Sequence, residues 1–141
     1  MPAKDENPAM LAAQNSWRCV MNKLRDEWFD LMADDVVIED PIGVAPTNPD
    51  GTGIKGREGL EQFWNNNIVP TTSMNIVSEE SYAAGNESAH LLTLTVNFAN
   101  GLETTVRGIF TYRINDDGKV NSLRGYWGID EMGMVQHEVA D

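Results

Sequence analysis

One cysteine and two histidines in 141 residues leave little room for several kinds of chemistry. A lone Cys19 excludes an internal disulfide and reads as a small core residue. His90 and His137 stand in no metal-ligand spacing, and no Ser-His-Asp arrangement offers itself. His90 opens a predicted strand and reads as a surface or edge residue. Basic residues are scarce too: ten Lys and Arg stand against 22 Asp and Glu, for a formal net charge of −12. That balance argues against nucleic acid and against anionic membrane surfaces as partners. No apolar run approaches the roughly 18 residues of a membrane span. The segment Met1–Pro8 is polar and acidic, unlike a signal peptide, so a cytoplasmic protein is expected.

What remains is an ordinary soluble composition, 41% hydrophobic and 23% charged, sized for a single domain over residues 1–141. Loose ends are expected at about 1–7 and 133–141. Asn7 can cap a helix that runs through Pro8 to about Lys23. A second short helix, Glu27 to Met32, follows with Asp26 as its cap, and Ala33-Asp-Asp35 turns the chain into a strand. A third helix, about Glu58 to Asn66, buries Leu60, Phe63 and Trp64. The rest alternates as strands: Met74–Tyr82, His90–Phe98, Thr104–Ile114 and Lys119–Ile129. Asn100-Gly101 and Asp117-Gly118 supply hairpin turns. Helices followed by an antiparallel meander predict an α+β fold. A curved, mostly antiparallel sheet forms a conical barrel, and about three helices close a hydrophobic pocket in it.

The most informative stretch is Val36-Val-Ile-Glu-Asp-Pro-Ile-Gly43. Alternation puts Val36, Ile38 and Asp40 on one face, so a carboxylate ends an apolar row. Pro41 stops regular pairing there. Two outcomes follow from these residues: a desolvated general base with a raised pKa, or a turn cap. Gly51-Thr-Gly53-Ile-Lys-Gly56 matches G-x-G-x-x-G, but a proline-rich loop precedes it where a strand is required, so no cofactor is expected. The loop from Gly43 to Gly56 reads either as a lid or as a passive insertion. All four tryptophans, Trp17, Trp28, Trp64 and Trp127, fall on inward faces, which leaves room for a cavity that stacks flat rings.

Ala33-Asp-Asp-Val-Val-Ile-Glu-Asp-Pro-Ile-Gly43, Gly56-Arg-Glu58, Phe63-Trp64, Tyr112-Arg-Ile-Asn-Asp-Asp-Gly-Lys-Val120 and Gly125-Tyr-Trp127 together resemble Δ5-3-ketosteroid isomerase. That family sits in the nuclear-transport-factor-2-like superfamily, with SnoaL-type cyclases. The resemblance implies a conical α+β barrel, a homodimer, and a steroid-like ring compound as ligand. It also implies that Asp40 is the general base moving a proton beside a carbonyl. The family's oxyanion hole joins a Tyr to an Asp that its apolar site keeps protonated. Aligned on Asp40 and on Tyr112-Arg113, those two positions hold Ser16 and Phe110. Ser16 and Tyr112 are the candidate substitute donors. Phe110, Trp64, Trp127, Phe63, Met32 and Leu123 are the candidate pocket walls. The expected function is double-bond isomerisation. The alternatives are a non-catalytic small-molecule binder and a lyase or cyclase of the same superfamily.

Overall fold

The computed structural model describes residues 6–139. Residues 1–5 and 140–141, within the expected loose ends, lie outside the described residues. Helix α1 spans Pro8–Met21, and its N-terminus is capped as the sequence predicts: Asn7 Oδ1 accepts from the N–H groups of Ala9 at 2.8 Å and Met10 at 3.3 Å. Helix α2 spans Arg25–Leu31. Leu24 stands at its N-cap position with no side-chain cap bond, and Asp26 lies in the first turn, where a carboxylate suits the helix dipole.

The expected turn at Ala33-Asp-Asp35 is absent. Strand β1, Met32–Glu39, starts directly where α2 ends, and an irregularity in its register with the neighbouring strand falls between Met32 and Val37. After a loop come β2, Ile54–Lys55, and α3, Gly56–Phe63. A π-helical turn, Trp64–Ile68, continues α3. Four long strands complete the meander: β3 Thr71–Ala84, β4 Glu87–Phe98, β5 Leu102–Ile114 and β6 Val120–Tyr126. A final strand β7, Gly133–Gln136, pairs antiparallel with the start of β5. The end expected to be loose from 133 is thus tied into the sheet over four residues.

The seven strands make one curved sheet in the order β2-β1-β6-β5-β4-β3, with β7 beside β5. Among the described strands only β1 and β6 run parallel. The sheet does not close on itself; the helices cover its concave side, which buries inward residues of β1, β4, β5 and β6, whereas β7 is exposed along its length. On β5 this face carries Val106, Phe110, Tyr112 and Ile114, all buried, as alternation predicts. Leu60, Phe63 and Trp64 are buried from the third helix, and Trp28 from α2.

One topological detail builds the site. Along β5, β6 pairs from Ile114 back to Ile109, and β7 takes over at Thr105. The chain between β6 and β7 spends Trp127–Met132 crossing that gap, including a 3₁₀ turn at Ile129–Glu131. This surplus bulges inward, and Trp127, Ile129 and Met132 all border the interior cavity.

Candidate functional site

Between sheet and helices lies a cavity of about 400 Å³, within the range of small-molecule sites. Its walls are overwhelmingly apolar. Among the described residues Asp40 is the only charged side chain that lines it, and no described Lys, Arg or His joins it. The buried end holds Ser16, Trp28 and Tyr112, each under 5% exposed. The opposite end reaches the surface at Ile129 and Met134.

Asp40 stands one residue past the end of β1, continuing the inward row of Val36 and Ile38. Its Oδ1 accepts a hydrogen bond from the Trp127 indole N–H at 2.8 Å. Its other oxygen has no hydrogen-bond partner among the described residues. Burial pushes its carboxyl up to about 6, and the Trp127 bond only partly offsets that. The side chain does not cap the following turn. Thr47 instead donates its hydroxyl proton to the Asp40 backbone carbonyl. Gly125 makes the convergence possible: a Cβ there would stand 2.9 Å from Phe110 Cε2, 2.9 Å from Trp127 Nε1 and 3.0 Å from Asp40 Oδ1.

Two further indoles meet two hydroxyls. The Trp17 N–H donates to Tyr112 Oη at 2.9 Å, and the Trp28 N–H donates to Ser16 Oγ at 3.0 Å. An indole nitrogen can only donate, so each hydroxyl oxygen accepts there and keeps its own proton to give elsewhere. Burial holds the Tyr112 phenol well above its usual pKa, against the contrary pull of Trp17; Asp40 adds to the rise and Ser16 opposes it. Tyr112 is therefore neutral and protonated across the working pH range.

The loop after Gly43 is a fastened wall. Asn48 is 1% exposed; its Nδ2 donates to Pro41 O at 2.9 Å and its Oδ1 accepts from Gly53 N–H at 3.0 Å. Pro46 and Thr47 from this loop border the cavity. The G-x-G-x-x-G glycines Gly51, Gly53 and Gly56 all take positive φ and lie on the way from this loop through β2, which pairs antiparallel with β1, into α3.

Of the residues expected to form the site, Asp40, Ser16, Tyr112, Phe110, Trp127, Phe63 and Leu123 meet at the cavity. Met32 and Trp64 do not. Met32 opens β1 within the packed core at 3% exposure. Trp64 packs against Trp28 with ring centroids 5.4 Å apart, so it backs the wall without reaching the cavity. Trp28 itself borders it. The inner row Leu92, Leu94, Val96 and Phe98 of β4 lines it as well; its alternation was legible in the sequence, but not that it faced a ligand-sized void.

His90 is no edge residue. It is 1% exposed, and burial pushes its pKa down to about 4. Ser88 donates its hydroxyl proton to Ala9 O at 3.2 Å and so accepts from His90 Nε2–H at 2.8 Å. Nδ1 then accepts from the Ser81 hydroxyl at 2.7 Å. A neutral imidazole is fully satisfied there. Its ring and that of Trp17 stand nearly perpendicular with centroids 4.8 Å apart, so it helps fix the ring that serves Tyr112. Cys19 is fully buried, as expected.

A SnoaL-like domain matches residues 13–123. The structure superposes on the crystal structure of Δ5-3-ketosteroid isomerase from Mycobacterium sp. with a TM-score of 0.88 and 46% identity, covering 92% of this chain and 99% of that one. RV0760c from Mycobacterium tuberculosis, in complex with estradiol-17beta-hemisuccinate, matches at TM-score 0.86 and 46% identity over 91% and 99% of the two chains. A computationally designed 17-OHP binder matches at TM-score 0.89 and 44% identity over 92% and 100%.

Proposed function

The chain belongs to the SnoaL-like family, and from that premise we propose that it is a ketosteroid-isomerase-like enzyme with Asp40 as its general base. The observation that carries this is a single carboxylate, raised to about 6 by burial, at the edge of an apolar cavity to which no other described residue brings a charge. A desolvation penalty of that kind has no use in a passive core, and a base poised near neutrality suits abstraction of a proton beside a carbonyl. The ligand class follows from the walls and from two similar proteins, one crystallised with a steroid ester and one designed to bind 17-OHP.

In the proposed reaction a carboxylate oxygen of Asp40 takes a proton from the carbon between the carbonyl and the isolated double bond. The electron pair delocalises onto the carbonyl oxygen as a dienolate. Asp40, now a neutral acid, returns the proton to the far carbon of the dienolate, and the conjugated enone forms. Trp127 holds the carboxylate in place through Oδ1 and leaves the second oxygen for the substrate. Charge developing on the substrate oxygen needs a donor. Neither Ser16 nor Phe110 reproduces the Tyr and Asp that the isomerase family uses. Tyr112 is the proposed donor instead: it is on the same strand face as Phe110, it stays protonated, and it accepts from Trp17, so its own O–H is the proton it can turn to the substrate in place of its neighbour Ser16. Ser16, held by Trp28, is the second donor at the same buried end.

The protein is proposed to act as a homodimer through the convex face of the sheet. Ile109 and Tyr126 are register neighbours there and are 41% and 49% exposed.

The test is turnover of 5-androstene-3,17-dione, followed by enone absorbance, in the wild type and in Asp40→Asn. Activity that disappears in the variant supports the isomerase. A second function, steroid binding without chemistry, is favoured by the likeness to the designed binder. It predicts no turnover in either protein and a Kd that Asp40→Asn leaves unchanged or lowers.

A further inference from the structure

The cavity's surface-reaching end carries two amides that the proposed chemistry does not use. Asn66 and Asn67 lie on the π-helical turn Trp64–Ile68 and both border the cavity. Asn67 follows Phe63 by four residues and Trp64 by three. That is a place on the buried stripe where an amphipathic helix takes an apolar residue. No hydrogen bond ties either amide to another described residue. The turn that presents them is held firmly. Trp64 and Ile68 are 4% exposed, and Val69 N–H closes the wide turn on Trp64 O at 3.0 Å. The Thr71 hydroxyl donates to Ile68 O at 2.7 Å, and Lys23 Nζ donates to Thr71 O at 2.5 Å and to Val69 O at 3.2 Å. π-turns of this kind recur at functional sites.

Thr71, just beyond the turn, pairs with Phe98 at the far end of β4, whereas the Asp40 end is level with Phe110 and Gly125. Phe110 and Thr104 border the same cavity six residues apart on β5, roughly 20 Å along a strand. The cavity is thus long, with polar groups at both ends and apolar walls between.

We propose that Asn66 and Asn67 form a second polar subsite that binds a neutral hydroxyl or carbonyl oxygen at the far end of the ligand. The ligand is then a rigid apolar compound oxygenated at both ends. An amide offers donors and an acceptor without charge. With Asp40 the only charged group among the described lining residues, and no basic side chain among them, an anionic end group gains nothing here. The subsite rests on the ring-ligand function proposed above, and it is tested separately from the chemistry.

The experiment measures Kd by quenching of tryptophan fluorescence with two stable enones, 4-androstene-3,17-dione and 4-androsten-3-one, which differ only in the distal oxygen. Wild type is expected to prefer the dione by roughly 2- to 10-fold, the size of one net hydrogen bond. Asn67→Ala and the pair Asn66→Ala with Asn67→Ala should bring that ratio close to one and leave the Kd for 4-androsten-3-one unchanged. Asn67→Ser, which replaces the amide with a shorter hydrogen-bonding hydroxyl, should retain part of the preference, and a thermal midpoint for each variant checks folding. A wild-type ratio of one, or a preference that survives in the double variant, overturns the subsite while the ring-ligand function stands. Failure of both steroids to bind folded wild type overturns that function and the subsite with it.

Discussion

The indole N–H of Trp127 donates to Oδ1 of Asp40 at 2.8 Å, across 87 residues of sequence. The bond pulls the carboxyl pKa down while burial pushes it up, and burial prevails. Removing the donor should let burial act alone. Trp127→Phe is expected to move the rising limb of kcat/KM against pH above the wild-type midpoint of about 6. An unmoved midpoint, in a variant that still turns over, means that the indole does not hold the carboxylate in solution.

Asp40→Asn should abolish proton transfer, lowering turnover ~100- to 10,000-fold, and should stabilise the protein in a pH-dependent way. The folded state raises this carboxyl from 3.8 to about 6, so it holds the proton more tightly than the unfolded chain does. Stability from this group is full below 3.8 and is lost as pH rises through about 6. Asn escapes that loss, so its advantage over wild type should grow from none near pH 4 to something on the order of 2–3 kcal/mol at pH 7.5. His90 acts in the opposite sense. Its pKa falls from 6.5 to about 4 on folding, so its contribution is present above 6.5 and disappears as pH drops towards 4. Wild type therefore compensates between pH 4 and 6, and Asp40→Asn exposes the histidine's acid sensitivity. Denaturant unfolding at pH 4.5 and 7.5 measures both effects; an equal advantage at the two pH values excludes a raised Asp40.

Tyr112→Phe removes the proposed oxyanion donor with little change of shape. It should lower kcat ~100- to 1,000-fold with KM changing far less. Trp17→Phe keeps the phenol but frees its oxygen from the indole, so a smaller loss, roughly tenfold, is expected from misdirected donation. Single-turnover kinetics on these variants and on Ser16→Ala rank the donors. A greater loss from Ser16→Ala than from Tyr112→Phe would reverse their roles.

Gly125 is where Phe110, Trp127 and Asp40 close on one another. A methyl group there would stand 2.9 Å from Phe110 and from Trp127, closer than real Cβ contacts come, and a tight 3.0 Å from Asp40. Gly125→Ala should cost ~1–3 kcal/mol in stability through overpacking and break the Trp127–Asp40 bond. Its pH profile should then shift in the same direction as that of Trp127→Phe. A normal profile in a folded Gly125→Ala protein would show that the carboxylate does not depend on this approach.

Much of the fold could be read in the chain because the signals are local. Asn7-Pro8 starts α1 where the cap and fixed φ of proline require it, and alternation on β5 names its buried face residue by residue. Where expectation and structure part, a distant neighbour decides. The acidic Ala33-Asp-Asp35 looks like a turn, yet it runs on within β1, across the irregularity between the β6 pairings at Met32 and Val37. The tail after Met132 looks loose, yet the open edge of β5 takes four of its residues as a strand. His90 looks like an edge residue until Ser81 and Ser88 supply partners for both ring nitrogens.

By itself the sequence determined the helical and strand faces, the family, and the placing of one carboxylate at the end of an apolar row, since each depends on residues a few positions apart. Tertiary structure decided which tryptophans line the cavity and which back it. It also decided that Asn66 and Asn67 stand at the cavity's far end, and that Tyr112, Ser16 and Asp40 each receive an indole proton. Those three bonds join residues 12 to 95 positions apart. No periodicity reports how helices folded against a curved sheet bring such pairs within 3 Å.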